Sequence, residues 1–246
     1  MGESAALGQR QRKGHGRVPR IGSEASRGTW ESLLRWVGGN PRGAGLGSVR
    51  GMAVLLAIVL GYLCGSVPFG LVIARARKVD LRAVGSGNIG ATNAARALGR
   101  GYGLLVLLLD ALKATGPVLL AERYFAADPR QPWIVVAVAA AAFVGHLWPV
   151  FARFQGGKGV ATALGCFVAI APLPALCGAL TWVVLFGVTR ISSVGSLGAV
   201  VLFPVWLYLL HAEPPVYALT ALFLSLILWR HRGNIARLWS RTEQRL

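Results

Sequence analysis

The sequence predicts an all-α integral membrane protein, a seven-transmembrane-helix bundle with short cytoplasmic loops that carry its polar motifs. Three observations lead there. Only 14% of the 246 residues are charged while 54% are apolar, whereas a soluble domain carries about 25% charged residues. Apolar runs recur along the chain, most of them about 18 residues or longer, enough to cross a ~30 Å hydrocarbon core. The basic residues between the runs fall very unequally on the two sides that such a bundle would have.

Residues 1–50 precede the first run. They are rich in Gly, Ser and Arg and hold nine basic residues, from Arg10 to Arg50. With no sustained apolar period, they read as a disordered basic extension, and 51–246 as the membrane-embedded domain. A secretory signal is a poor fit, because the charged part is too long and the following run is a full span. Spans follow at 52–74, 102–121 and 132–151. A continuous apolar stretch then runs from 160 to 188. As one helix it would be about 43 Å long, well beyond the hydrocarbon core. It also contains Pro172 and Pro174. Proline breaks the helix ladder and pushes the preceding residue out of helical angles. The stretch is therefore two short spans, 160–171 and 174–188. The last two spans are 194–211 and 215–230.

Charge supports that split. With seven spans and the C-terminus inside, fourteen Lys and Arg residues from Arg75 to Arg245 share one face, and only Arg123 and Arg130 reach the other. This is the positive-inside pattern. The same parity puts the basic N-terminal segment outside, which a long segment beyond the membrane ends tolerates.

The net charge is +17. Nucleic acid binding fits poorly, because the basic residues sit in short loops between apolar spans. An anionic lipid surface or an anionic substrate remains. Cys64, Cys166 and Cys177 lie inside apolar runs without a CxxC neighbour, so they read as small core residues, with no disulfide frame and no metal site.

Four loops carry the polar groups. The first runs from Val84 to Asn93, with Arg96 beyond it. Gly85, Gly87 and Gly90 allow backbone N–H groups to approach an anion. Ser86, Asn88, Thr92 and Asn93 add short donors, and Arg96 can grip a phosphate in bidentate fashion. The formal G-x-G-x-x-G at 85–90 is not a dinucleotide fingerprint, which needs a strand before it and a βαβ unit around it. The second loop, Phe154 to Thr162, sets Lys158 among Gly156, Gly157 and Gly159 at the start of a helix, where an anion is favoured. It lacks Walker A spacing, since position 152 is Ala and Lys158 is followed by Gly159. The third, Arg190 to Ser193, holds Ser192 and Ser193, which alone could be simple helix caps. The fourth, Trp229 to Leu238 with Glu243 beyond, places His231 and Asn234 three apart on one helix face. Its arginines 230, 232 and 237 read first as topology signals. Within the spans, Asp110 and Lys113 read as an i,i+3 ion pair facing the bundle interior, and His146 as a satisfied structural histidine.

Taken in order, Gly65–Gly70, the Gly85–Asn93 loop with Arg96, His146–Phe151 with Gly156–Thr162, and His231–Ile235 resemble the bacterial acyl-phosphate:glycerol-3-phosphate acyltransferases of the PlsY type. The resemblance covers about 52–243 and leaves out the basic N-terminal fifty residues. It implies a monomeric seven-helix bundle in the bacterial inner membrane with its active site facing the cytoplasm. It implies transfer of a fatty acyl group from acyl phosphate to the 1-hydroxyl of glycerol 3-phosphate, giving lysophosphatidic acid and phosphate. An acyl phosphate has a good leaving group, so no cofactor and no metal is demanded. By resemblance, Ser86, Arg96, Lys158, His231 and Asn234 hold glycerol 3-phosphate. The backbone around Gly90, with Thr92, Ser192 and Ser193, holds the phosphate of the acyl donor, and Glu243 is structural. Either that phosphate or His231 takes the hydroxyl proton. The rival from another class is a transporter of a phosphorylated small solute. Transporters place their sites near the midplane and often carry internal repeats, and neither feature is visible in this sequence.

Overall fold

The structure, a computed structural model, describes residues 44–246, and among them it is entirely helical. The long apolar runs become helices because a helix satisfies its backbone polar groups within one segment, without water.

Helix α1 is Ala44–Gly65. It begins eight residues before the expected first span, and the rest of the basic extension lies outside the described residues. The expected first span, 52–74, lies within one apolar segment, Val49–Ala76, whose helix is interrupted at Ser66–Pro68 before α2, Phe69–Ala76. Pro68 has no N–H to continue the ladder, and the break lets Val67 turn its carbonyl to Lys113 Nζ at 2.7 Å. A short helix, α3 (Ala91–Leu98), follows the first motif loop. Its Ala, Asn and Arg residues gave no long apolar run, and the sequence reading had no helix there. Gly99, at φ +102°, turns the chain into α4, Arg100–Tyr124.

Helix α5, Gln131–Leu147, stops before Pro149 and is followed by a 3₁₀ turn at Val150–Ala152. The 160–188 stretch divides at Ala171, whose φ of −144° and ψ of 71° are not helical. Helix α6 is Val160–Ile170 and α7 is Pro172–Thr189. Helices α8, Ser192–Leu209, and α9, Pro214–Arg230, complete the apolar set. The polar helix α10, Arg232–Trp239, ends the fold.

Five segments are long and apolar enough to cross a membrane: Val49–Ala76, Arg100–Tyr124, Gln131–Ala152, Pro172–Thr189 and Ser192–Leu209. Helices α6 and α9 are apolar but shorter, at 11 and 17 residues. Leu60, Leu112, Leu120 and Val188 are all exposed, an arrangement suited to lipid rather than to water. The interior is aromatic: Phe143 stacks on Phe223 at 4.0 Å between ring centres, and Phe167 packs on Phe203 at 4.2 Å.

Candidate active site

The four motif loops gather at one end of the bundle. The first is shaped by two glycines and one asparagine. Gly85 and Gly87 have φ of +59° and +67°, angles that cost any residue with a Cβ. A Cβ on Gly85 would also collide with Asn93 Oδ1. Asn93 is fully buried. Its Oδ1 accepts the Ser86 N–H at 3.0 Å, and its Nδ2 donates to the carbonyls of Leu81 and Val84 at 2.9 and 3.0 Å. Both amide protons are thereby used, so Asn93 holds the loop in place.

The second loop is held from the fourth. Arg230 donates through Nε to the Gly157 carbonyl at 2.9 Å and through Nη2 to the Gly156 carbonyl at 2.6 Å. Arg230 is therefore a clamp, where the sequence suggested only a topology signal. The clamp sets Lys158, whose Nζ donates to Asn234 Oδ1 at 2.5 Å. Burial lowers the Lys158 ammonium to about 8; Glu243 opposes the shift, while Arg237, Arg96 and Arg230 add to it. Asn234 in turn donates to Glu243 Oε1 at 2.6 Å. Glu243 also accepts from Ser193 Oγ at 3.0 Å and from Arg237 Nε at 2.6 Å. Burial pushes its carboxyl up, but these three hydrogen bonds outweigh burial and hold it below the usual carboxylate range. One carboxylate thus ties together the third loop, α10 and, through Asn234, the lysine.

His231 is buried, and its Nδ1 lies 2.9 Å from the Ile227 carbonyl. A carbonyl only accepts, so Nδ1 carries the proton and Nε2 keeps a lone pair. Burial, reinforced by the nearby Lys158, lowers this imidazole to about 4. The Thr92 and Ser192 hydroxyls meet at 2.8 Å, and Ser192 makes no helix-capping bond. Arg96 donates Nη2 to the Gln244 carbonyl at 3.1 Å, while its Nε is buried without a hydrogen-bond partner among the described residues.

These side chains border two cavities of opposite character. A polar cavity of about 490 Å³ is lined by Arg82, Lys158, Arg230, Arg232 and Arg237, together with the Ser86–Ile89 backbone and Gly156. A second cavity of about 580 Å³ starts at Thr92, Arg96, Ser192 and Ser193 and runs down between the apolar helices. Ser86, Asn88, Lys158 and Asn234 border both. Of the remaining expected residues, Gly90, Gly159, His231 and Glu243 line the apolar cavity and Gly87 the polar one. Gly85 and Gly157 line neither and act through loop shape. Asp110 and Lys113 are buried and paired at 2.7 Å. His146 lies with its Nδ1 3.8 Å from Asp110. That nitrogen has no hydrogen-bond partner among the described residues, so His146 is not the satisfied histidine expected. Among those residues, no His, Cys, Asp or Glu cluster could hold a metal.

Sequence reasoning missed Arg82 and Gln155. The Arg82 guanidinium bonds the Gln155 side chain and its carbonyl, the latter at 3.0 Å. By residue type and position Arg82 reads only as an inside charge, and its partner lies 73 positions away. The C-terminal segment was missed as well: beyond the Arg96–Gln244 contact, the Leu246 N–H donates to the Arg190 carbonyl at 2.9 Å.

Residues 55–241 match the family model described as glycerol-3-phosphate acyltransferase. A glycerol-3-phosphate acyltransferase of Anaeromyxobacter sp. (strain Fw109-5) is 51% identical over 195 residues, covering 78% of this chain and 96% of the relative. One from Myxococcus xanthus (strain DK1622) is 51% identical over 190 residues, covering 76% and 97%. The crystal structure of PlsY (YgiH), an integral membrane glycerol 3-phosphate acyltransferase, in its glycerol 3-phosphate form aligns with a TM-score of 0.75 at 42% identity. It covers 79% of this chain and 96% of that one. The lysophosphatidic acid form aligns at 0.73 with 41% identity, covering 79% and 95%. This chain is an integral membrane enzyme, and it belongs to the glycerol-3-phosphate acyltransferase family.

Proposed function

We propose that this acyltransferase takes its acyl group from an acyl phosphate and delivers it to the 1-hydroxyl of glycerol 3-phosphate, as a seven-span monomer in the bacterial inner membrane with its site facing the cytoplasm. One observation carries the reading: a cationic pocket and an apolar cavity meet at Ser86, Asn88, Lys158 and Asn234. The two substrates have matching characters. Glycerol 3-phosphate is small and dianionic and suits the pocket lined by five cationic side chains. The acyl phosphate has an anionic head for Thr92, Ser192, Ser193 and Arg96, and an apolar tail for the cavity below.

With both bound, the reacting groups sit at the shared boundary, where proximity replaces most of a bimolecular entropy cost. The 1-hydroxyl oxygen attacks the carbonyl carbon and a C–O ester bond forms. The bond from that carbon to the bridging phosphate oxygen breaks, so lysophosphatidic acid and inorganic phosphate leave. The hydroxyl proton needs an acceptor. His231 Nε2 has a lone pair, but its imidazole is lowered to about 4. The acyl phosphate is a mixed anhydride whose non-bridging oxygens are anionic and gain basicity as the bond to the acyl carbon breaks and they become those of inorganic phosphate. This favours the phosphate as proton acceptor and His231 as a neutral hydrogen-bonding partner. Arg96 and Lys158 stabilise negative charge as it moves onto the leaving phosphate.

The test is phosphate release by purified protein given palmitoyl phosphate, with and without glycerol 3-phosphate. Release should require both substrates. Comparable turnover with palmitoyl-CoA would refute the acyl phosphate donor.

A further inference from the structure

We propose that the aromatic floor formed by Phe167, Phe203 and Phe223 limits the length of the acyl chain this enzyme transfers. The inference rests on the reading that the acyl tail occupies the apolar cavity. All three rings are buried and line that cavity. Phe167 packs on Phe203 at 4.2 Å and edge-on to Phe223 at 5.4 Å between ring centres. Three helices, α6, α8 and α9, thus each contribute one ring to a single cluster. Mutually packed rings yield less than isolated ones, because moving one uncovers the others.

Two helices bracket the depth. On α8, Ser192 at the mouth and Phe203 at the floor are eleven residues apart, about 16 Å at the helical rise. On α9, His231 just past the helix end lies eight residues from the ring of Phe223, about 12 Å, and eleven from Thr220, the deepest α9 residue lining the cavity, about 16 Å. An extended single-bonded chain advances about 1.2 Å per bond. With the carbonyl carbon at the mouth, about thirteen bonds reach the floor, a chain of about fourteen carbons. Longer chains must bend or leave methylenes outside, so kcat/KM stops rising with length and falls where the chain has to bend.

The experiment uses full-length protein in lipid nanodiscs and a series of saturated acyl phosphates from lauroyl to arachidoyl. Phosphate release is measured at saturating glycerol 3-phosphate. Wild type should peak at myristoyl or palmitoyl and fall toward arachidoyl. Phe203→Ala should move the optimum about two or more carbons longer, since removing a ring opens space below the floor. Val200→Phe, one turn nearer the mouth on α8, should move it shorter. Opposite shifts in the two variants establish the floor. Wild-type turnover with an unshifted profile in both variants would overturn it and indicate that the tail leaves sideways between helices. Absence of wild-type turnover with every acyl phosphate would overturn the underlying reading of function as well.

Discussion

Lys158 donates to the amide oxygen of Asn234 across 76 positions of sequence, at 2.5 Å. The same amide donates onward to Glu243 at 2.6 Å. The lysine's position is therefore set by the last loop of the chain as much as by its own glycines.

Lys158→Ala and Arg96→Ala each remove a cationic donor while leaving the apolar helices intact. A charge-assisted hydrogen bond contributes about 1.5–3 kcal/mol, so each variant should lose about tenfold or more in kcat/KM, with normal membrane insertion. If the phosphate is held mainly in the ground state, KM rises for glycerol 3-phosphate in Lys158→Ala and for acyl phosphate in Arg96→Ala; if the charge develops later, kcat falls. Near-wild-type kinetics in both well-folded variants would remove these loops from the phosphate sites.

The Lys158 ammonium, lowered to about 8 by burial and its cationic neighbours, should give glycerol 3-phosphate binding an alkaline limb. The charged form predominates below that value and is lost as pH rises through it. KM for glycerol 3-phosphate should therefore rise above about pH 8. In Lys158→Arg the guanidinium stays charged, so the limb should flatten. The KM profile of the two proteins between neutral and alkaline pH decides, and coincident limbs would assign the titration to another group.

Arg230 spans two carbonyls with one planar fork. Arg230→Lys keeps the charge but offers a single point donor, which cannot bridge both. A loss of about tenfold in kcat/KM is expected for Arg230→Lys as well as for Arg230→Gln. Full rescue by lysine would show that charge alone matters there.

Thr92→Val and Ser192→Ala test the division between the two cavities. Each removes a hydroxyl from the apolar cavity's mouth and none from the cationic pocket. KM for acyl phosphate should rise about threefold or more, while KM for glycerol 3-phosphate stays within about twofold. Equal rises for both substrates would mean that a single undivided site serves them.

Cysteine placed at Gly99 or Arg241 should react with an impermeant thiol reagent from the same face of the membrane. Seven spans require this. Labelling from opposite faces would overturn the parity and the cytoplasmic assignment of the loops.

What the sequence disclosed depended on distance along the chain. The break at Ala171 was legible because Pro172 and Pro174 act on their own neighbours. The Asp110–Lys113 pair was legible because i,i+3 spacing is local. Helix α3 escaped because eight mixed residues leave no long apolar run. Arg230 looked like a flanking charge, since its carbonyl partners at Gly156 and Gly157 lie over seventy positions earlier. Asn93 reads as a ligand by residue type, and only the fold shows that its amide protons hold the first loop. Glu243 was singled out, but its function as the meeting point of Ser193, Asn234 and Arg237 depends on three separate elements coming together.

The Asp110–Lys113 pair also bears on how the protein reaches the membrane. Both charges sit on α4, near its middle, one turn apart. A lone Asp or Lys at a helix centre costs about 2.5–3.5 kcal/mol on insertion through the translocon. Because both partners belong to one helix, they can neutralise each other while α4 is emerging, before α1, α2 or α5 exists as a packed neighbour. Biogenesis and the finished bundle then draw on the same contact. In a glycosylation-based insertion assay of α4 alone, Asp110→Ala or Lys113→Ala should improve insertion far less than replacing both. Equal, additive gains would show that the pair forms only after the helices assemble.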